Sequence, residues 1–346
     1  VIPWPISDGW IGLDVGGANT KIAGPTGYTE QLPLAVWKSP GELAMHIGRL
    51  LARAPKHHSV ALTTTAELAD CFASKSEGVR AVIDAVRAAC GRSRLVVYST
   101  DQGGSFVDGT AARSNPIPIA AANWLALANW AAGQWRPSDG LMIDLGSTTT
   151  DIIWLRNSRA APLGTTDAQR LASGELVYTG LLRTPVAAIA SKLASGGKLR
   201  RVAAEWFAHA ADAHVILRSL PEGTCYETAD GRPADWGHAK ARLARSLCLD
   251  AGDLSDSQAE LLAGEVVRWQ CRAIEDGIAQ VASNSLAPIR QVIVSGAGWR
   301  LAKQAVQNVL PSAAVASIAG VLGEPACRCA AAVAVAALAS PIGDGA

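Results

Sequence analysis

The chain has 346 residues, 49% of them apolar and 18% charged, with a formal net charge of +1. That is enough apolar material for a packed core in two lobes of roughly 150 residues each, and it excludes a disordered chain. The near-neutral balance carries no electrostatic footprint for nucleic acid or an anionic membrane, so small molecules are the expected partners.

In chain order, Ile11–Val15 and Thr20–Ala23 read as two strands around a tight turn. Apolar Leu43, Ile47, Leu50 and Leu51 set a helical period over Pro40–Ala54. "SVALTTT" is a short buried strand. Val79, Val82, Ile83 and Val86 share one face of a helix over Glu77–Cys90. "RLVVYST" is a further strand and "AAANWLALANWAA" a further helix. The order β-β-α-β-α-β-α predicts a layered α/β lobe. At Leu141 the pattern restarts. "ELVYTGLLRTPV" reads as extended and packed near a cleft, Leu199–Leu217 as helical, and "LPEGTCYETADGRPADWG" as a punctuated loop. A long helix is expected over Ser255–Ser285. "RQVIVSGAGW" is a strand running into a glycine turn, followed by a helix, the strand "AAVASIAG" and a terminal helix. "CAAAVAVAALA" is too short and alanine-rich to span a bilayer and reads as a helix buried between layers. "VIPWPISDGW" lacks a basic region followed by a long apolar core, so no secretory signal is expected, and a soluble cytoplasmic protein is.

The restart is a domain-sized repeat. "IGLDVGGANTKIA" (Ile11–Ala23) and "MIDLGSTTTDIIW" (Met142–Trp154) align at a constant offset of 130 residues. Asp14 matches Asp144, Gly16 matches Gly146, Thr20 matches Thr150 and Ile22 matches Ile152. A period this long predicts two similar lobes facing each other rather than a solenoid. The expected division is 1–138 for the N-terminal lobe and 139–346 for the C-terminal lobe, the latter with an inserted segment at 156–250.

Each repeat is an apolar strand, an aspartate, a polar turn with glycine, and a second apolar strand. Gly16 and Gly17 let backbone N–H groups approach an anion closely and form a nest for it. Asn19, Thr20 and Lys21 add side-chain donors, although Lys21 reads equally well as a cross-strand surface lysine. The second turn offers Gly146, Ser147, Thr148 and Thr149. An aspartate beside a phosphate is repelled unless a divalent cation lies between them. Asp14 and Asp144 are therefore candidate Mg2+ carboxylates, directly or through water. Two ordinary hairpins are the bland alternative. Asp151 would orient the second turn. Ser295, Gly296 and Gly298 form a third turn, where a nucleotide or other flat ligand can lie against the backbone.

Glu67 and Asp70 are three apart and would share a helical face. A carboxylate there can deprotonate a hydroxyl nucleophile, and the same stretch also suits a capped helix start. Lys75 either contacts a diphosphate or is solvated. Asp101 ends a strand at its carboxyl edge, where α/β proteins collect ligands. The seven cysteines are odd in number, contain no CxxC pair and read as buried thiols; a metal site at Cys327-x-Cys329 is the alternative. The six histidines form no ligand set, and His209 and His214 read as surface residues. No Ser-His-Asp group or cysteine nucleophile stands out, which weighs against simple hydrolysis. Trp124, Trp130 and Trp135 fit either a core or an aromatic ligand wall.

The order of phosphate turn, second phosphate turn and glycine turn resembles the superfamily of actin, sugar kinases and heat-shock chaperones over nearly the whole chain. That resemblance implies two facing actin/sugar-kinase-like (ribonuclease H-like) α/β lobes with a central cleft. "YTGLLRTPV" (Tyr178–Val186) resembles the hydantoinase/oxoprolinase branch. Thr63–Val79 and Ala120–Ala128 resemble proteins of the tetrahydromethanopterin-linked one-carbon transfer pathway. Their archaeal relatives include the methanofuran-biosynthesis synthase that joins an aminomethylfuran diphosphate to γ-glutamyltyramine. The implied activity is a transferase step in which a phenol derived from tyramine or tyrosine displaces pyrophosphate, with Mg2+ and without ATP. The alternatives are an ATP-dependent kinase or ligase of the same fold and a nucleotide-binding protein without turnover. The chain is shorter than typical hydantoinase A or oxoprolinase subunits, so the hydantoinase name does not carry that activity with it. The expected partners are the diphosphate and the phenol, with no nucleic acid and no membrane; a homodimer is compatible with the sequence.

Overall fold

Alternation at the start of the chain builds the first sheet. The structure, a computed structural model, describes residues 3–285 and 287–340. In β1 (Gly9–Gly16), Ile11, Leu13 and Val15 point to one face and Trp10 to the other. β2 (Asn19–Ala23) returns antiparallel and β3 (Thr29–Pro33) extends that edge. On the other side of β1, β4 (His57–Thr65) and β5 (Arg94–Ser99) run parallel to it, and β6 (Ser105–Asp108) closes the sheet antiparallel. The apolar stripes of α1 (Leu43–Arg53) and α2 (Lys75–Cys90) cover the face that carries Leu13. β3, β6 and the short α3 (Gly109–Ser114) carry no apolar period that sequence reading could find.

After α4 (Asn123–Trp135) the plan recurs. β7 (Asp139–Leu145) pairs antiparallel with β8 (Thr150–Arg156), which is flanked by the two-residue strands β9 (Arg159–Ala160) and β10 (Leu176–Val177). Between these last two lies α5 (Asp167–Ser173). The next segment holds α6 (Val186–Ile189), β11 (Lys192–Ser195), β12 (Lys198–Arg201), α7 (Ala210–Ile216) and α8 (Trp236–Arg245). Then come α9 (Asp256–Ala282), β13 (Gln291–Ser295) parallel to β7, α10 (Trp299–Val309) and β14 (Ala314–Ser317). α11 (Ile318–Leu322), α12 (Glu324–Arg328) and α13 (Ala330–Ala339) complete the described chain. The order β3-β2-β1-β4-β5 of the first sheet is matched by β10-β8-β7-β13-β14 of the second. The sequence repeat is thus a repeat of topology, and Asp14 and Asp144 occupy equivalent places in it.

Two helices fill the space between the sheets. α4 and α13 pack on each other, against Trp10, Ala61 and Val96 of the first sheet and Met142, Ile153 and Ile293 of the second. α13 is apolar all round because it has a buried neighbour on every side. At Gly12 a Cβ would come within 1.9 Å of Ala332 O, so β1 and α13 approach this closely only through glycine. α7, α8, α9 and α10 cover the outer face of the second sheet. No helix among the described residues is long and apolar enough to cross a membrane.

Two expectations are corrected in the second half. Leu199–Leu217 is not one helix. β11 and β12 form a hairpin around Gly196 and Gly197, both at positive φ (58° and 72°), and the helix is confined to α7. Consecutive glycines at positive φ are what a two-residue hairpin turn requires. "AAVASIAG" is a strand only as far as Ser317, whose hydroxyl then accepts from Gly320 N at 3.0 Å to start α11.

Candidate functional site

The two turns of the repeat open onto one cleft of about 750 Å³. Asp14, Gly16, Gly17, Ala18, Asn19 and Lys21 line it from one side, and Asp144, Gly146, Ser147, Thr148, Thr149 and Asp151 from the other. In the first turn, Gly17 O accepts from Val36 N at 2.9 Å and Ala18 O from Leu34 N at 3.0 Å. In the second, Gly146 N donates to Thr149 O at 2.9 Å, and Ser147 O accepts from Leu182 N and Arg183 N, both at 3.0 Å. The carbonyls of Gly17, Ala18, Ser147 and Thr149 are therefore engaged with protein. The backbone N–H groups of Gly17, Ala18, Ser147, Thr148 and Thr149 have no acceptor among the described residues. Successive N–H groups without an acceptor are what an anion nest requires.

The stretch "YTGLLRTPV" straps the second turn in place. A Cβ on Gly180 would lie 2.4 Å from Thr148 N, so glycine lets the strap press on the turn. Thr150 Oγ1 donates to Thr179 O at 2.7 Å, and Gln270 of α9 donates to Gly180 O at 2.8 Å. His214 Nε2 lies 3.0 Å from Gln270 Oε1. His214 and His209 are buried, which corrects their reading as surface residues.

The floor of the cleft is charged and poorly solvated. Lys21 faces Asp14 across β1 and β2, with Nζ 3.6 Å from Oδ2. Burial pushes the Asp14 carboxyl up from its ordinary value, against the pull of Lys21. Asp144 is pushed up to about 7, first by burial and then by Asp151. Burial opposes the charge on Lys21, but Asp14 and Asp144 hold its ammonium above the usual lysine value. Asp151 is raised by burial in spite of its ion pair with Arg170. Arg170 is itself buried, stacked 4.1 Å from the centroid of Trp124, with Nη1 3.7 Å from Asp167 Oδ1.

The Oδ1 atoms of Asp14 and Asp144 are buried and make no hydrogen bond. Two such hard oxygen donors fit Mg2+, which fills the rest of its shell with water and phosphate oxygens. Among the described residues no cluster of three His, Cys, Asp or Glu forms a ligand set.

Glu67 also lines the cleft. It is 2% exposed, and neither carboxylate oxygen has a hydrogen-bond partner. Burial, with Asp167 adding, pushes it up to about 7. Asp70 lines the cleft at an exposed position. The expected shared helical face is corrected: both residues lie in the loop between β4 and α2. The capped start belongs to Ser74, whose hydroxyl accepts from Glu77 N at 3.2 Å.

Other expected residues stand apart. Lys75 is not among the lining residues; its Nζ lies 3.4 Å from Asp167 Oδ2. Asp101 is exposed and does not line the cleft. Ser295, Gly296 and Gly298 do not line it either. Gly296 sits at φ 85°, and a Cβ there would lie 2.2 Å from Leu145 O and 2.8 Å from Asp144 Oδ1. These glycines seat the third turn against the end of β7, behind Asp144. Trp124 lines the cleft, whereas Trp130 and Trp135 stack edge-on at 5.9 Å. Cys327 and Cys329 are buried free thiols. Sequence reading did not single out Arg170, Arg183, Trp37 or Asp167, all of which line the cleft. Arg183 stood inside a quoted motif, which was the available signal.

Two sheets of matched topology that bring an aspartate and an open turn each to one cleft define a two-lobed α/β protein of the actin and sugar-kinase type. The chain belongs to the hydantoinase/oxoprolinase family, which residues 58–340 match. It is 34% identical over 303 residues to the (4-{4-[2-(gamma-L-glutamylamino)ethyl]phenoxymethyl}furan-2-yl)methanamine synthase of Methanocaldococcus jannaschii, covering 86% of this chain and 88% of the relative. It is 30% identical over 174 residues to the synthase of the same name from Methanococcus vannielii, covering 50% and 77%. Similar solved structures include an archaeal actin homologue in complex with ADP, at 14% identity and TM-score 0.47 over 96% of this chain and 99% of that one. Nucleotide-free acetone carboxylase matches at 11% identity and TM-score 0.49, over 88% and 46%.

Proposed function

We propose that this protein is a transferase of methanofuran-type cofactor biosynthesis, acting on small molecules in the cytoplasm. A phenol derived from tyramine or tyrosine attacks the methylene carbon of an aminomethylfuran diphosphate. The carbon–phenol oxygen bond forms, the carbon–phosphate oxygen bond breaks, and pyrophosphate leaves with the electron pair while the phenol loses its proton. The observation that carries this reading is the pair of facing turns with five N–H groups that nothing in the described chain accepts. Such donors are worth most where negative charge grows, here on the departing pyrophosphate. Lys21 adds a cation beside the first turn. Mg2+, held by Asp14 and Asp144, would neutralise the leaving group. Glu67, buried and at about 7, is matched to taking the phenol proton at neutral pH. Similarity to the synthase over 86% of this chain supports the substrate class. A kinase or ligase would need an adenine seat in addition, which this reaction does not.

The test supplies aminomethylfuran diphosphate with γ-glutamyltyramine, tyramine or tyrosine, plus Mg2+ and no ATP. Stoichiometric pyrophosphate and a coupled ether, read by mass, are expected. Coupling that requires ATP, or turnover without pyrophosphate, overturns the reading.

A further inference from the structure

Four cations line the cleft: Lys21, Lys38, Arg170 and Arg183. Lys21 pairs with Asp14, Lys38 Nζ lies 2.7 Å from Glu227 Oε1, and Arg170 pairs with Asp151 and Asp167. The guanidinium of Arg183 has no carboxylate or hydrogen-bond partner among the described residues. It lies over the ring of Trp37, 4.8 Å from the centroid. The two side chains come from opposite lobes, and each is tied to one of the open turns. Arg183 N donates to Ser147 O at 3.0 Å, and Val36 N, beside Trp37, donates to Gly17 O at 2.9 Å. The stacked pair therefore bridges the two turns whose N–H groups are free.

We propose that Arg183 is a diphosphate-binding residue, its guanidinium closing on the pyrophosphoryl group between the turns, with Trp37 as its positioning residue. The proposal rests on the diphosphate reading above and names a contact within it. Stacking on a ring orients the planar fork without using any of its five donors, so they stay available for two phosphate oxygens at once. A lysine would present a point charge that neither stacks nor bonds in parallel. Because charge accumulates on pyrophosphate as the carbon–oxygen bond breaks, the contact strengthens along the reaction and should raise kcat as well as affinity.

The test is calorimetric titration with magnesium pyrophosphate on wild type, Arg183→Ala, Arg183→Lys and Trp37→Leu, each checked for native unfolding behaviour, with kcat and KM for both substrates. Arg183→Ala is expected to weaken pyrophosphate binding by roughly ten- to a hundredfold, the scale of charged hydrogen bonds. Arg183→Lys should recover only part of the loss, and Trp37→Leu should weaken binding by a smaller factor with the charge still present. If wild type binds no pyrophosphate, the diphosphate reading falls and this proposal with it. If wild type binds and Arg183→Ala binds equally well, the assignment of Arg183 alone is overturned. A loss confined to the KM of the phenolic substrate moves Arg183 to that substrate's carboxylate and equally overturns it.

Discussion

Lys21 and Asp151 occupy the same place in the two halves of the cleft. Each lies directly across an antiparallel pair from a site aspartate: Lys21 from Asp14, and Asp151 from Asp144. The halves are alike in backbone and opposite in charge at this position. Asp14 has a cation as its cross-strand neighbour, whereas Asp144 has a second carboxylate that adds to burial in raising it. The asymmetry gives Asp14 a standing countercharge and leaves Asp144 the more responsive to an arriving cation.

Removing Lys21 tests the first half of that statement. In Lys21→Met, Asp14 is left buried without its partner. Breaking a buried pair costs about 3–5 kcal/mol, and the Lys21 side chain is 26% exposed, which places the expected loss at the low end, about 3 kcal/mol. Urea unfolding at pH 7.5 measures it, and magnesium pyrophosphate affinity should fall in the same variant. A stability change under about 1 kcal/mol would class the pair with ordinary surface ion pairs.

Asp144 tests the second half. A carboxylate must be ionised to hold Mg2+, so protons compete with the metal below its pKa of about 7. Mg2+ affinity, measured by calorimetry without pyrophosphate, should be level above pH 8. It should fall up to about tenfold per pH unit below about 7. Asp144→Asn should lose both the affinity and this dependence. Mg2+ binding that is flat from pH 5.5 to 8.5 would show that Asp144 is not a ligand.

Glu67 carries a prediction about stability. Its pKa in the folded chain is raised to about 7 from 4.5, so between those values the folded state holds a proton the unfolded state has lost. Stability therefore falls as pH rises from 4.5 to about 7 and levels off above, by about 3 kcal/mol at the usual 1.36 kcal/mol per unit. Glu67→Gln removes that penalty. The variant should be no more stable than wild type at pH 4.5 and should gain on it steadily up to pH 7.5, while losing activity. Denaturant titrations at four pH values measure the gap. A gap that does not change with pH would mean that Glu67 is not buried as a proton-binding group.

The parts of this molecule legible in the sequence are those whose cause is local. A strand, an aspartate and a glycine turn lie within a dozen residues, so Asp14 and Asp144 and their turns could be matched by eye. An alanine-rich run with no polar face could only be a helix buried on all sides. The third turn shows the limit of local reading. Strand, glycine and helix follow one another at Ser295–Gly298 as they do in ligand-binding turns, and here a Cβ at Gly296 or Gly298 would meet Leu145 at 2.2 Å, a contact no local pattern announces. Arg170 sits in a short polar helix, and nothing nearby in the chain announces that it will stack on Trp124 from the other lobe. Arg183 and Trp37 are likewise joined only by the folding of one lobe onto the other. In Leu199–Leu217 the alanines fit a helical period, but the first three residues belong to β12 and the helix is confined to α7.

Gly180 and Gly17 separate the strap from the turn it holds. A Cβ on Gly17 meets nothing within 4 Å, and its φ is not in the left-handed region, so Gly17→Ala should leave stability unchanged or slightly raised. A Cβ on Gly180 would press against backbone, 2.4 Å from Thr148 N and 2.6 Å from Ser147 C, neither of which can swing aside. Gly180→Ala must then displace the turn, at a cost of about 1–3 kcal/mol. It should weaken pyrophosphate binding because the Thr148 amide is pushed from the place where the strap holds it. Gly17→Ala puts a methyl beside the ligand itself, so it too should weaken binding, but without the loss in melting temperature. Melting curves and pyrophosphate titrations on the two variants give the contrast. If Gly180→Ala melts and binds like wild type, the close approach of the strap to Thr148 does not fix the second turn.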